Sequence, residues 1–162
     1  MWKQLTQKAR KAIFLAQEEA GRLGYSHVGP EHLLLALARE EDCLAVGILE
    51  GLGVDPGTLR VQVMQHVSRG SEVLGQEMQL TTEAKSVIDL AFAESREMKE
   101  GWVGTEHLLI GILRSSESMA AKVLTELGVD LIRARTQVRS LKAGTLPMED
   151  ENGKSSAPVS AV

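Results

Sequence analysis

Val28-Gly29-Pro30-Glu31-His32-Leu33-Leu34 returns 75 residues later as Val103-Gly104-Thr105-Glu106-His107-Leu108-Leu109. The echo extends well beyond the motif. Residues 6–63 align with 81–138 at that constant offset without a gap, and 22 of the 58 pairs are identical, where unrelated segments would share ~3. A segment written twice folds twice, so a site in one half predicts a twin in the other.

Working outward from the motif, each half reads as four helices. Ala9, Ala12, Ile13, Ala16, Ala20 and Leu23 recur at helical spacing, as do Ala84, Val87, Ile88, Ala91 and Met98. Thr6 and Thr81 stand where N-caps belong. After a turn at Leu23-Gly24-Tyr25-Ser26, a second helix opens near Pro30, and its twin near Thr105. A third, at about 43–52, ends at Leu52-Gly53, and its twin at Leu127-Gly128, each glycine fitting a helix C-cap. Asp55 and Asp130 then cap a fourth. No segment of useful length alternates with period two, so no strand is expected.

The fold class expected is therefore all-α: eight helices in two pseudo-symmetric four-helix units. Each unit is too short to bury a comfortable core alone, so the two are expected to pack as one globule. The first repeat covers about 2–68, the linker 69–80 with Gly70 and Gly75, and the second repeat about 81–142. Residues 143–162, rich in Ser, Gly, Pro and acids and without periodicity, are expected to be a disordered tail.

Composition narrows the function classes. Aromatics are only 3% of the chain, so the core must be aliphatic. A net charge of -4 offers no electrostatic footprint for nucleic acid or an anionic membrane. No apolar run approaches membrane-spanning length, and the start, Met-Trp-Lys-Gln-Leu-Thr-Gln-Lys, lacks a secretion signal. One cysteine, Cys43, cannot form an internal disulfide. A cytoplasmic protein is expected, with neither nucleic acid nor membrane as partner.

The doubled Thr-x-x-Ala and Gly-[Pro/Thr]-Glu-His-Leu-Leu blocks, each followed by Leu-Gly-Val, resemble the Clp amino-terminal (Clp R) repeat domain. The nearest match is the double repeat that precedes the ATPase modules of ClpC-type AAA+ unfoldases, and it covers residues 2–142. That resemblance implies a substrate- and adaptor-docking module rather than an enzyme. The partners implied are a ClpC-type unfoldase, the ClpP peptidase, and adaptors or substrates carrying phosphorylated arginine. No cofactor and no metal are implied. A P-loop needs Gly-x-x-x-x-Gly-Lys-[Ser/Thr]. The one Gly-Lys-Ser, Gly153-Lys154-Ser155, has Met148 in place of the first glycine, so no ATP binding or hydrolysis is expected. The alternative function is an accessory protein that binds the Clp ring or the ClpP core and tunes its assembly.

Candidate site residues carry two readings each. Glu31 and Glu106 fall in the first turn of a helix, where the helix dipole favours a carboxylate by ~0.3–1 kcal/mol. A carboxylate also accepts two parallel N–H bonds from a guanidinium, and the resemblance implies that the matching glutamates bind phospho-arginine. Thr6 and Thr81 cap helices; together with free first-turn N–H groups they could hold a phosphate. Arg10 and Lys85, one turn on, could help neutralise it or simply be solvated. On this reading each threonine should sit near its own repeat's glutamate, in two equivalent surface pockets. His32 and His107 lack metal-site spacing and read as partly buried histidines bonded to nearby backbone. Cys43, whose twin is Ser118, reads as a helix-start or core residue. Trp102, the twin of His27, could pack on a docked peptide or cover its own repeat. No catalytic residue is assigned, because no nucleophile with a base stands out.

Overall fold

The computed structural model describes residues 2–70 and 79–143. Eight α-helices lie among them, in the places the repeat predicts. Helix α1 spans Gln7–Arg22, α2 Pro30–Arg39, α3 Leu44–Gly51 and α4 Pro56–His66. The second set is α5 Thr82–Glu97, α6 Thr105–Arg114, α7 Met119–Glu126 and α8 Leu131–Lys142. The linker's Gly75, residues 144–162 of the expected tail and with them the Gly153-Lys154-Ser155 run lie outside the described residues, while Ala143 caps the end of α8.

The start signals act as the sequence says. Thr6 and Thr81 hold extended backbone, and each hydroxyl accepts the N–H three residues on, from Ala9 and Ala84, both at 3.0 Å. Asp55 and Asp130 do the same for α4 and α8. Gly53 and Gly128 end α3 and α7 at φ of 81° and 91°, a region open to glycine at no steric cost.

Helices α2 and α6 are apolar nearly all round, and they form the centre. Leu33, Leu34, Leu35 and Leu37 are buried in one, and Leu108, Leu109, Ile110 and Ile112 in the other. Fully burying one such side chain contributes about 1.5–3 kcal/mol. Within each repeat α1 covers α2 and α5 covers α6; between repeats α2 meets α6 and α7, α3 meets α6 and α8, and α4 meets α7. The α5–α6 crossing is tight. A Cβ on Gly111 would lie 2.5 Å from the Val87 carbonyl oxygen, whereas its twin in α2 is Ala36.

One feature was not expected. Residues His27–Val28 (β1) and Gln79–Leu80 (β2) pair in parallel. Its symmetric counterpart is a bridge between Leu5 and Val103. A two-residue strand is too short to show a periodicity, so no reading of alternation could have found it. Each pairing ties one repeat to the segment that leads into the first helix of the other. Thr81 N donates to the Val28 carbonyl at 2.9 Å, and Thr6 N to the Val103 carbonyl at 3.0 Å.

Candidate functional site

Those crossings decide which residues meet. Val28 stands three residues before Glu31, and Val103 three before Glu106. The capped start of α5 is therefore bonded to the segment that leads into Glu31, and the capped start of α1 to the segment that leads into Glu106. The expectation that each threonine neighbours its own repeat's glutamate is corrected: Thr81 belongs with Glu31, and Thr6 with Glu106. Sequence alignment pairs equivalent residues and is blind to such an exchange.

At the Thr81–Glu31 corner the Glu31 side chain is 27% exposed. Its carboxylate folds back over Gly29 and accepts a backbone N–H at its own helix start. No cation reaches it among the described residues. Its ion-pair neighbour is His32, 3.6 Å away, and burial pushes that imidazole down to about 4, which leaves it uncharged. Burial also holds Glu31 above the usual carboxylate range; its backbone bond opposes this, and the charge of Glu83, in the first turn of α5, adds to it. Thr81 is half-buried and Lys85 exposed.

The Thr6–Glu106 corner is closed. Thr6 is fully buried and Glu106 is 1% exposed. The Lys142 ammonium, at the end of α8, lies 2.7 Å from Glu106 Oε2 and 2.6 and 2.8 Å from the two oxygens of Glu100. Burial works against the charged forms of Lys142 and Glu100. The Glu106 and Glu100 charges nevertheless hold Lys142 above its ordinary value, and His107 and Lys142 hold Glu100 below its own. Arg10 is exposed and spends its Nε on the Leu5 carbonyl, 3.1 Å away. The expected equivalence of two surface pockets therefore does not hold: one carboxylate is open and lacks a cation, and the other is buried with one.

The histidines bond to nearby backbone as expected, but both are fully rather than partly buried. Nδ1 of His32 accepts the Gly29 N–H at 2.9 Å, and Nδ1 of His107 the Gly104 N–H at 2.8 Å. Each imidazole thus takes the role a glutamate or glutamine plays in a capping box. Cys43 begins α3 and is buried, while its twin Ser118 caps α7 with its hydroxyl. Trp102 is half-buried beside Phe92, Ser95 and Glu100, on a hollow of about 110 Å³.

Two further clusters escaped sequence reasoning, although their signal was present. Glu19 is buried and receives Arg60 at 2.9 Å and Arg39 at 3.7 Å. Glu94 receives Arg135 at 2.9 Å and Arg114 at 3.2 Å. All three positions are identical pairs in the repeat, and charged residues kept in both copies are candidates for a buried pairing. Each cluster ties the end of the first helix of its repeat to the second and fourth.

The Clp repeat (R) N-terminal domain family matches residues 4–127 and 80–161. The chain is 42% identical over 154 residues to an ATP-dependent Clp protease ATP-binding subunit ClpA homolog of Guillardia theta, a match over 95% of this chain and 19% of that protein. It is 41% identical over 157 residues to the negative regulator of genetic competence ClpC/MecB of Bacillus subtilis, over 97% of this chain and 19% of that one. It thus spans about a fifth of the length of these curated relatives. Among solved structures, the N-terminal domain of the chaperone ClpD from Arabidopsis thaliana superposes with a TM-score of 0.68 at 26% identity, covering 88% of this chain and 97% of that one. The Hsp104 N-terminal domain from Candida albicans shares the fold at 20% identity, with a TM-score of 0.72 over 93% and 98% of the two chains.

Proposed function

Since the chain belongs to the Clp repeat N-terminal domain family, we propose that it is a non-catalytic docking module that presents substrates or adaptor proteins to a Clp ATPase and its peptidase, and that the group it recognises is a phosphorylated arginine. One observation carries this. Glu31 is a part-open carboxylate with no cation of its own among the described residues, placed against the start of α5 by the Thr81–Val28 bond. A guanidinium supplies the missing charge through two parallel N–H bonds. The first-turn N–H groups of α5 that the Thr81 cap leaves free, with Lys85 a turn further on, suit the phosphate. The separation matters, because carboxylate and phosphate repel each other.

Calorimetry of the purified protein with free phospho-arginine tests the reading. Binding is expected, and Glu31→Ala should weaken it about ten- to hundred-fold, the worth of a charge-assisted pair. Plain arginine should bind more weakly than its phosphorylated form. No binding, or a Glu31→Ala variant that binds as well as wild type, returns Glu31 to the role of a helix-start carboxylate.

A further inference from the structure

The two glutamates are twins, yet the residues around them are not. Seventy-five positions apart, Glu100 stands opposite Tyr25 and Lys142 opposite Val67. Tyr25 lays its ring 5.0 Å from that of His32 and donates its hydroxyl to the Ser68 carbonyl. Glu100 instead faces Nε2 of His107 at 3.6 Å and binds Lys142. Leu44, Ile48, Val138 and Leu141 close around Glu106 and Lys142.

The fit inside that closed pocket is incomplete. Lys142 ion-pairs with Oε2 of Glu106 at 2.7 Å, yet both oxygens of that carboxylate are buried without a hydrogen bond, and Oε1 lacks even the ion pair. An ammonium is a point charge, whereas the fork of a guanidinium reaches both oxygens of a carboxylate at once. Lys142 therefore supplies a cation to Glu106 but not the shape that would serve both of its oxygens. A metal ion does not suit the cluster better. Glu100, Glu106 and His107 do converge. Because Nδ1 of His107 accepts the Gly104 N–H, the imidazole proton is on Nε2, and the nitrogen that faces Glu100 has no lone pair to give.

Resting on the docking reading above, we propose that Lys142 is an internal stand-in for the guanidinium ligand. It fills the Glu106 pocket, so the Glu31 corner receives the ligand first, and the second pocket opens only when the end of α8 lifts Lys142 out. Lys142 is the last residue of that helix, where backbone carbonyls lack helical partners and opening is cheap. Repeat 1 has no such plug, because Val67 carries no charge.

The test is a titration of phospho-arginine into the full chain, with glutamate carboxyl carbons labelled and followed by NMR. In wild type the Glu31 signal should move while that of Glu106 stays. In Lys142→Met both should move, with the Glu106 pocket binding about ten- to hundred-fold tighter than in wild type. Val67→Lys should plug repeat 1 and weaken the Glu31 response. Should Lys142→Met not fold, Lys142→Gln keeps a donor to Glu106 without the charge and should give the same opening. The plug is refuted if Glu106 responds in wild type at the concentration that moves Glu31. It is equally refuted if Glu106 stays silent in a folded Lys142 variant whose Glu31 responds. If neither glutamate responds in any of these proteins, the docking reading fails and the plug fails with it.

Discussion

His32 shows how one side chain can serve the fold at one pH and oppose it at another. Its Nδ1 accepts the Gly29 N–H, and its ring is 2% exposed. Burial lowers its pKa from 6.5 to about 4, against a small opposing charge from Glu19. The native imidazole therefore stays neutral where the unfolded one gains a proton. Stability from this group is complete above the unfolded pKa and is lost as pH falls from about 6.5 towards 4, by on the order of 2–3 kcal/mol. Glu31, whose pKa is raised, leans the other way, so a variant must isolate the histidine. His32→Gln keeps an acceptor at the third helical position. Urea midpoints at pH 7 and pH 4.5 should differ less in that variant than in wild type. An unchanged acid loss would assign the sensitivity to other groups.

At the scale of elements, helix ends were legible and helix-to-helix ties were not. A cap is a local chemical event, so Thr6, Thr81, Asp55 and Asp130 could be read from their own neighbourhoods. The Glu94–Arg135–Arg114 cluster joins α5, α8 and α6 across 41 and 20 residues, and no local pattern announces it. Its energetics are lopsided. The Glu94 side chain is 4% exposed, whereas Arg135 is 36% and Arg114 22% exposed. Burial alone would raise the Glu94 pKa; the Arg135 hydrogen bond and charge, then those of Arg114, bring it below the usual range. Removing an arginine strands a buried charge, while removing the glutamate leaves two cations that water can reach. Arg135→Met should therefore cost about 2–4 kcal/mol and Glu94→Gln roughly half as much, both below the full penalty for breaking a buried pair because partners remain. Chemical denaturation of the two variants checks the order; a costlier Glu94→Gln would contradict it. The candidate site was legible by halves for a related reason. Matches between the repeats pointed to Thr6, Thr81, Glu31 and Glu106, but the difference between the two corners came from mismatches, Lys142 against Val67 and Glu100 against Tyr25.

Over the whole molecule the repeats depend on each other. Leu5 bridges to Val103 and Val28 pairs with Leu80, so the start of each repeat's first helix is fixed by the other repeat. The expectation is that residues 1–68 alone will not unfold cooperatively, and that adding residues 69–162 will restore a cooperative transition by circular dichroism. A sharp melt of the isolated first half would show the repeats to be independent. These crossed contacts are reciprocal: the threonine of each repeat donates to the valine of the other. Such reciprocity is the mark of an isologous interface, the kind two identical subunits form about a two-fold axis. In a homodimer of single repeats every substitution would appear on both sides at once, and a lysine that plugged one pocket would plug its mate. Joining the two subunits in one polypeptide removes that constraint, and only then can one corner be closed by Lys142 while the other stays open.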